Sequence, residues 1–292
     1  MNILVLDPTH CLALALAAEA EERLDIDLTL FDATTASPAL EEVELSDFDA
    51  VIVPPLAHLD TSDSCMVEAH AQQLEALLEP CRVANTALVW CVSDEIYEFG
   101  YDKGAIEESL IPSPESPWRR RLVAIGDRIR AELTQHLIIR VGPLFGLKGR
   151  EARLPDILEA LVTGAEVTGE EDLFIGPTPV DALARGLCGM LLQLDNGADA
   201  WGPYHLSGIE PVSDYMFVST LRSQLIQLLE QRGEPVDCVG EVAAVAHPQG
   251  MVRRVLNCRH MLGTFGVHQK PWRLEAERMI ERWLDLRLEQ SR

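Results

Sequence analysis

The first half of this chain alternates short, uninterrupted apolar segments with longer amphipathic ones, and this alternation restricts the fold more than any other feature. An apolar run without polar alternation indicates a strand buried on both faces, as in parallel sheets covered by helices on both sides. The sequence therefore predicts an α/β fold built on a doubly wound parallel sheet. The predicted strands cover residues 2–6, 26–31, 49–53, 87–92 and 137–141, and the predicted helices cover residues 9–24, 64–84 and 116–135.

After Gly146 the connections lengthen and glycines become frequent, which indicates a change of architecture. We expect residues 1–146 to form the sheet domain and residues 147–292 to form mainly a small C-terminal α/β lobe, with later strands returning to the sheet. A ligand is then expected in the cleft between the two, at the carboxyl ends of the strands. The predicted elements of this half are helices at residues 155–163, 179–194, 212–231 and 272–290 and a strand at residues 201–206.

Composition argues against several classes of protein. A net charge of −23, with only three lysines among 24 basic residues, predicts a surface that repels nucleic acid and anionic membranes. The seven cysteines include no Cys-x-x-Cys pair and are expected to be reduced, and the histidines show no metal-ligand spacing, so no metal is predicted. Because no apolar run is long enough to cross a bilayer and no secretory signal is evident, we expect a cytoplasmic protein. Met279, Ile280 and Trp283 share one face of the last predicted helix, which leaves open a homodimer contact or a place in the core.

The first glycine of the chain is Gly100, and this absence bears on the turn after the first strand. Dinucleotide-binding folds need glycines at that turn so that the backbone turns tightly and approaches a pyrophosphate. Here the turn contains Asp7, Thr9 and His10, and Asp32 follows the second predicted strand. His10 leaves two roles open, a cation that contacts a phosphate or a residue that caps the helix.

Several segments, in their order and spacing, resemble extended short-chain dehydrogenases/reductases, most closely the dTDP-4-dehydrorhamnose reductase group of RmlD-like sugar-nucleotide-binding proteins. The resemblance implies a Rossmann-like sheet, an NAD(P) cofactor and a sugar-nucleotide substrate held by the lobe. The matching segments are residues 2–6, 49–53, 92–97, 139–146, 176–184, 202–208, 253–254 and 271–272.

The resemblance also implies a glycine-rich cofactor turn that this chain lacks. The glycines are expected at positions occupied here by Asp7, His10 and Ala13. A side chain at each position takes space that the phosphates need, and Asp7 adds a negative charge beside them. The turn and Asp32 therefore mark a degenerate cofactor site, and we expect no cofactor to be bound.

The family's Tyr-x-x-x-Lys pair, in which the lysine lowers the tyrosine pKa for proton transfer, occurs nowhere in the sequence. On the helix that should carry it, Trp118 or Arg119 takes the tyrosine position. Leu122 or Val123 takes the lysine position, and neither supplies a charge. The sequence therefore predicts the loss of proton transfer together with the loss of the cofactor turn.

Two groups of polar residues remain as candidates for a site. Ser93 and Asp94 end the fourth predicted strand, where the resemblance places catalytic groups, and the alternative is that they cap the following loop. The candidates for binding a substrate or an anion are Trp118, Arg119, Arg253 and Arg254.

Three hypotheses follow from these observations. The first is a non-catalytic family member that binds a sugar nucleotide or another phosphorylated ligand, or a protein partner. The second is an active NAD(P)H-dependent dTDP-4-dehydrorhamnose reductase or sugar-nucleotide epimerase with a rebuilt site, in which His10 and an arginine help to hold the cofactor. The third is a purely structural interaction scaffold whose cleft is filled by side chains.

Overall fold

A computed structural model describes residues 1–32, 43–56, 64–98, 104–268 and 271–290. Its centre is a six-stranded sheet in the order β10-β5-β4-β3-β1-β2, and every pair of neighbours is parallel. The predicted α/β fold with a doubly wound parallel sheet is confirmed. The strands are β1 (Asn2–Leu6), β2 (Asp27–Phe31), β3 (Ala50–Val53), β4 (Ala87–Ser93), β5 (His136–Val141) and β10 (Gly202–Leu206).

Helices cover both faces of this sheet. The α1 (Cys11–Glu21) and α5 (Val180–Asp195) helices pack on one face, and the α2 (Ser64–Ala84) and α3 (Pro117–Glu132) helices pack on the other. The strands supply both cores because alternate side chains point to opposite faces. In β1, Ile3 points to the first core, whereas Leu4 points to the second.

The smaller lobe has a core of its own, formed by α4 (Leu154–Val162), α6 (Asp214–Gln231) and α8 (Trp272–Gln290). Trp272 is completely buried there, and Met279 and Ile280 lie in the same core. Those two residues therefore pack inside the lobe, and of the two placements left open for them the core is the one observed.

Short strands connect the lobe to the cleft. The ladders pair β6 with β9, β7 with β12, and β8 with β11 and β13. Each strand is two to four residues long, so these ladders position loops more than they build a core. Their bounds are β6 (Leu144–Phe145), β7 (Val167–Glu170), β8 (Leu173–Ile175), β9 (Thr178–Pro179), β11 (Val212–Ser213), β12 (Val242–Val245) and β13 (Val252–Arg254).

The chain returns to the sheet domain after entering the lobe. β10 is the edge strand beside β5, and α7 (Arg259–Phe265) packs against the same face of the sheet as α5. A domain boundary near residue 146 stays a prediction, because both layers draw on the second half of the chain.

Other predictions concern termini and single residues. The helix predicted from residue 9 begins at Cys11, because His10 caps it. The acidic connection at residues 32–48 lies partly outside the described residues, and Leu45–Asp47 forms one turn of 3₁₀ helix. All seven cysteines are free thiols. Across the described ranges, no helix is both long and apolar enough to cross a membrane.

Candidate functional site

A cleft lies between the carboxyl ends of the sheet strands and the lobe. Its narrow part, about 60 Å³, lies over the ends of β4 and β5 and is lined by Ser93, Asp94 and Glu151. Its wide part, about 500 Å³, extends to the lobe and is lined by Asp214 and Arg254, among others. Glu95, Pro143 and Arg153 line both parts, so the two are continuous.

The turn after β1 keeps a glycine-like backbone without a glycine. Asp7 has φ of 58°, in the left-handed region that favours glycine. Its carboxylate accepts a hydrogen bond of 2.9 Å from the Thr9 hydroxyl and forms an ion pair with Arg150. Its N–H donates to the Phe31 carbonyl, which places the turn beside Asp32, the residue that follows β2. The structure thus brings together all four residues predicted for the degenerate cofactor site, Asp7, Thr9, His10 and Asp32.

Protein groups occupy the N-terminus of α1. The Cys11 N–H donates to the Arg150 carbonyl at 2.9 Å, and the Leu12 N–H donates to Nδ1 of His10 at 3.0 Å. The Arg150 N–H in turn donates to the Thr9 carbonyl at 2.7 Å. These amides are the groups with which a helix N-terminus binds an anion. They are held here by His10, which is completely buried, and by residues 149–153, which we call the strap.

The charges of the strap and the turn compensate one another. Oε2 of Glu151 lies 3.2 Å from Nε2 of His10, and Oε1 lies 2.6 Å from Nη1 of Arg150. Arg150 also pairs with Asp7. Burial raises the pKa of the adjacent Cys11 thiol to about 12, so that thiol is protonated and unreactive at neutral pH.

These residues do not fit a dinucleotide bound in the usual way. Asp7, His10 and Ala13 stand where the resemblance expects glycine, and His10 and Ala13 have no exposed surface. The first amides of α1 already have acceptors within the protein. To reach the Cys11 amide a pyrophosphate would have to displace the strap, and to reach the Leu12 amide it would have to displace the His10 imidazole.

The start of α3 is fixed by a carboxylate. Glu98, with φ of 62°, accepts hydrogen bonds from the Ser116 N–H at 3.2 Å and from the Glu115 N–H. Its Oε1 lies 3.3 Å from Nη1 of Arg119, which is 3% exposed. Arg119 is thereby held against the helix terminus. Trp118 packs against the core beneath the helix, and within the described residues its buried indole N–H has no hydrogen-bond partner.

The helix positions that would carry the lysine are apolar in the structure as well. Leu122 is 1% exposed and lies in the core between α3 and the sheet. Val123 is half-buried and packs against the same core. Neither position presents a hydrogen-bonding group to the cleft.

Ser93 and Asp94 remain in the cleft. The Ser93 hydroxyl accepts the Glu95 N–H at 3.2 Å and so caps the single 3₁₀ turn Asp94–Tyr97. It lies 3.5 Å from Oδ1 of Asp94, and both residues are buried and line the narrow part. The capping role is therefore present, and it leaves both side chains facing the cavity.

The two consecutive arginines of β13 have different surroundings, as expected for adjacent residues of a strand. Arg254 is buried, lines the wide part of the cleft and lies 3.2 Å from Oε1 of Glu95. The guanidinium of Arg253 lies over the Phe174 ring, 4.9 Å from its centroid. Of the four residues predicted to bind a substrate or an anion, Arg254 is the one that lines this cleft.

The strap was not predicted from the sequence. Arg153 has φ of 60° and pairs with Asp214 across 2.5 Å, and its guanidinium lies over the Phe217 ring. In the sequence the strap appears only as a run of charged residues around Gly149, which resembles an ordinary exposed loop.

A buried polar cluster fixes the strand ends below the cleft. The Tyr97 hydroxyl lies 2.9 Å from Nε2 of His205, and Nδ1 of His205 lies 3.0 Å from the Asn257 carbonyl. Burial, followed by the charge of Arg140, lowers the pKa of His205 to about 3, and burial raises the pKa of Tyr97 to about 12. Both groups are therefore neutral at physiological pH. The Glu108 carboxylate completes the cluster by accepting the backbone N–H of His205 at 3.1 Å.

Metal binding has no support in the described parts of the chain, where no group of histidine, cysteine and carboxylate side chains is arranged to hold an ion. The arrangement offers hydroxyl, carboxylate and guanidinium groups for binding a polar ligand.

Comparison with known proteins gives a consistent fold. A family model described as the RmlD substrate binding domain matches residues 57–284. The chain is similar to a dTDP-4-dehydrorhamnose reductase from Clostridium acetobutylicum, with 15% identity, a TM-score of 0.73, and 98% of this chain and 99% of that chain covered. It is similar to a UDP-N-acetylglucosamine 4-epimerase from Methanobrevibacter ruminantium in complex with UDP-N-acetylmuramic acid, with 14% identity, a TM-score of 0.75, and 99% and 98% covered.

A third similar structure is a dTDP-4-dehydrorhamnose reductase from Bacillus anthracis in complex with NADP, with 16% identity, a TM-score of 0.71, and 95% of this chain and 98% of that chain covered. Identities this low establish a shared fold and nothing finer. No curated protein sequence matches the chain.

Proposed function

Because this chain belongs to the family of the RmlD substrate binding domain, we propose that it binds a sugar nucleotide or another phosphorylated small molecule without catalysing reduction. The observation that carries the proposal is the set of residues at the start of α3 that replace the tyrosine and the lysine. Trp118 or Arg119, depending on register, stands at the tyrosine position, and Leu122 or Val123 correspondingly stands at the lysine position. Arginine keeps its proton at any physiological pH, so Arg119 is unsuited to the proton transfer that the tyrosine would perform.

The wide part of the cleft supports the binding half of the proposal. Its volume of about 500 Å³ lies within the range of small-molecule pockets. Arg153 and Arg254 line it, and guanidinium groups bind phosphates through paired hydrogen bonds. Each of them already contacts a carboxylate, so a bound phosphate would share or replace those contacts. The ligand in the similar epimerase is a sugar nucleotide, which favours this class.

The narrow part would hold the uncharged end of such a ligand. Ser93 and Asp94 offer a hydroxyl and a carboxylate to sugar hydroxyl groups. The turn and the strap do not fit the pyrophosphate of NAD(P), so the proposed function involves no step through that cofactor.

Two alternatives rest on single observations. Retention of Ser93 and Asp94 in the cleft favours an active reductase or epimerase with a rebuilt site. The filled N-terminus of α1 favours a structural scaffold, but the open wide part of the cleft argues for a ligand.

Calorimetric titration with UDP-N-acetylglucosamine and with dTDP-glucose tests the proposal. We expect measurable binding of at least one of them to the native protein. Arg254→Gln should weaken this binding by about 10- to 100-fold, the loss of one charged hydrogen-bonding group. Arg120→Gln, on the exposed face of α3, is the matched control and should leave affinity unchanged.

A second assay separates binding from catalysis. The native protein, supplied with NADPH and a dTDP-4-keto sugar, should oxidise no NADPH above background. Turnover at an ordinary enzymatic rate, about 1 to 1000 per second, would overturn the proposal in favour of the active enzyme. Absence of binding to either sugar nucleotide, with the fold intact, would favour the scaffold.

A further inference from the structure

We infer that the strap is a built-in occupant of the position where doubly wound folds bind a dinucleotide pyrophosphate, and that it excludes dinucleotides from this chain. The inference goes beyond the proposed function, because it holds whichever ligand the wide part of the cleft takes. It assigns a role to residues 149–151 that their sequence does not suggest.

The backbone of the strap makes the contacts that a phosphate would make. The Arg150 carbonyl accepts the Cys11 N–H at 2.9 Å, as a phosphate oxygen does at a helix N-terminus. The Arg150 N–H donates to the Thr9 carbonyl at 2.7 Å, so the strap is held on both sides of His10 as a parallel bridge. A ligand would have to break both hydrogen bonds before it gained any.

Gly149 allows the strap to lie close to the backbone of Thr9 and Cys11. Its φ is +88°, and a Cβ there would lie 2.8 Å from the Thr9 carbonyl oxygen and 2.9 Å from the Cys11 nitrogen. In dinucleotide-binding turns, glycines let the backbone approach the pyrophosphate. Here the glycine lies in the strap and serves the same close approach, with the peptide as the occupant.

Charge strengthens the exclusion. Asp7 and Glu151 both face the turn, and their carboxylates would repel a diphosphate. Arg150 pairs with both of them. A diphosphate that displaced Arg150 would leave both carboxylates without that partner.

The strap is also anchored at its far end. Arg153 pairs with Asp214, which starts α6 in the lobe, and its carbonyl accepts the Ile157 N–H of α4 at 3.4 Å. Glu151 and Arg153 have positive φ, a conformation that costs energy in residues other than glycine and persists only where the surroundings enforce it. Contacts at both ends supply that enforcement.

Two double variants test the inference with matched backbone costs. Asp7→Gly/Gly149→Ala removes the turn carboxylate and pushes the strap away from Thr9 and Cys11. Asp7→Gly/Gly197→Ala is the control, because Gly197 has a similar φ of +93° but open space around its Cβ position. Both double variants place alanine at a position with positive φ and so have the same backbone cost, but only the first disturbs the strap.

Two readouts follow the strap and the ligand separately. Amide hydrogen exchange at Cys11 should be faster in the strap variant than in the control, since its acceptor is displaced. NADH binding, followed by fluorescence and calorimetry, should be at least about tenfold tighter in the strap variant than in the control or the native protein. Circular dichroism checks that all three proteins are folded.

Each contrary result overturns the inference. If the Cys11 amide stays equally protected in both variants, Gly149 does not hold the strap in place. If the strap is released but NADH binds no better, the strap is not what excludes the dinucleotide. If the native protein binds NADH as tightly as the strap variant, no exclusion exists. None of these results decides whether a sugar nucleotide binds in the cleft, which the separate titration measures.

Discussion

The two ends of the cleft differ in how their polar groups are used. At the end formed by the β1 turn and the strap, the first amides of α1 and the Asp7 carboxylate all bond to protein groups. At the lobe end, Arg153 and Arg254 line an open space of about 500 Å³. The same scaffold therefore combines a closed subsite with an open one, because separate segments build the two ends.

The contrast follows from how each end is assembled. The turn end depends on residues 7–11 and on one loop that reaches them, so a few side chains are enough to close it. The lobe end depends on α6, β13 and the loop after β12, which a separate hydrophobic core supports. In the function that we propose, the first end has lost its ligand while the second keeps one.

The largest expected effect comes from removing the support of the lobe end. Trp272 is completely buried, donates its indole N–H to the Glu210 carbonyl at 3.0 Å, and packs against Phe217. Trp272→Ala should lower the free energy of unfolding by about 3–5 kcal/mol, measured by urea denaturation. Leu286→Ala, on the exposed side of α8, should cost less than about 0.5 kcal/mol. Similar losses from both substitutions would show that the lobe core does not support this end.

A somewhat smaller effect is expected at the start of α3. Glu98→Gln should destabilise the protein by about 3 kcal/mol, because it removes the carboxylate charge that lies against the buried Arg119 guanidinium. Combining Glu98→Gln with Arg119→Met should recover much of this loss. The exposed pair of Glu79 and Arg82 is the control, and Glu79→Gln should leave the free energy of unfolding essentially unchanged. A loss that the second substitution does not recover would argue against the ion pair as its cause.

The protein should lose stability in acid more steeply than its surface charges suggest, because His205 is buried below the cleft. The pKa of His205 is lowered from 6.5 to about 3, so the unfolded chain binds a proton that the folded protein does not. Stability from this group is complete above pH 6.5 and is lost as the pH falls towards 3. The native protein should lose roughly 2 kcal/mol between about pH 7 and pH 5 through this group.

Comparison of variants isolates that contribution. His205→Asn should show a shallower loss of stability over the same pH range, whereas His260→Gln, an exposed control, should keep the native slope. Thermal denaturation at several pH values measures the loss of stability in each protein. Equal slopes in all three proteins would mean that His205 is not buried as a neutral group.

The fold was more accessible from the sequence than the site. The bounds of α2 and α8 agree with those predicted, because a helical period repeated over many residues is a local signal. The lobe strands β6 to β9 and β11 to β13 were not predicted, since two- to four-residue strands form only when distant partners pair with them. The predicted resemblance to RmlD-like proteins is confirmed by the family model.

At the site, the local features were predictable and the distant one was not. The missing glycines and the missing Tyr-x-x-x-Lys pair are visible in the sequence, and His10 was given capping as one of its roles. The occupant of the turn was not visible, because Arg150 lies 143 residues after Asp7. Only the three-dimensional arrangement brings Gly149, Arg150 and the turn together.

The smallest expected effect tests the closed end itself. The pair of Asp7 and Arg150 is partly exposed, so its contribution to stability should be modest. Asn tolerates the left-handed backbone of position 7, so Asp7→Asn removes the charge and leaves the turn geometry intact. A double-mutant cycle of Asp7→Asn with Arg150→Gln should give a coupling energy of about 0.5 kcal/mol that shrinks at high salt. A coupling near zero would assign the closure of this end to the backbone hydrogen bonds of the strap alone, because those bonds survive both substitutions.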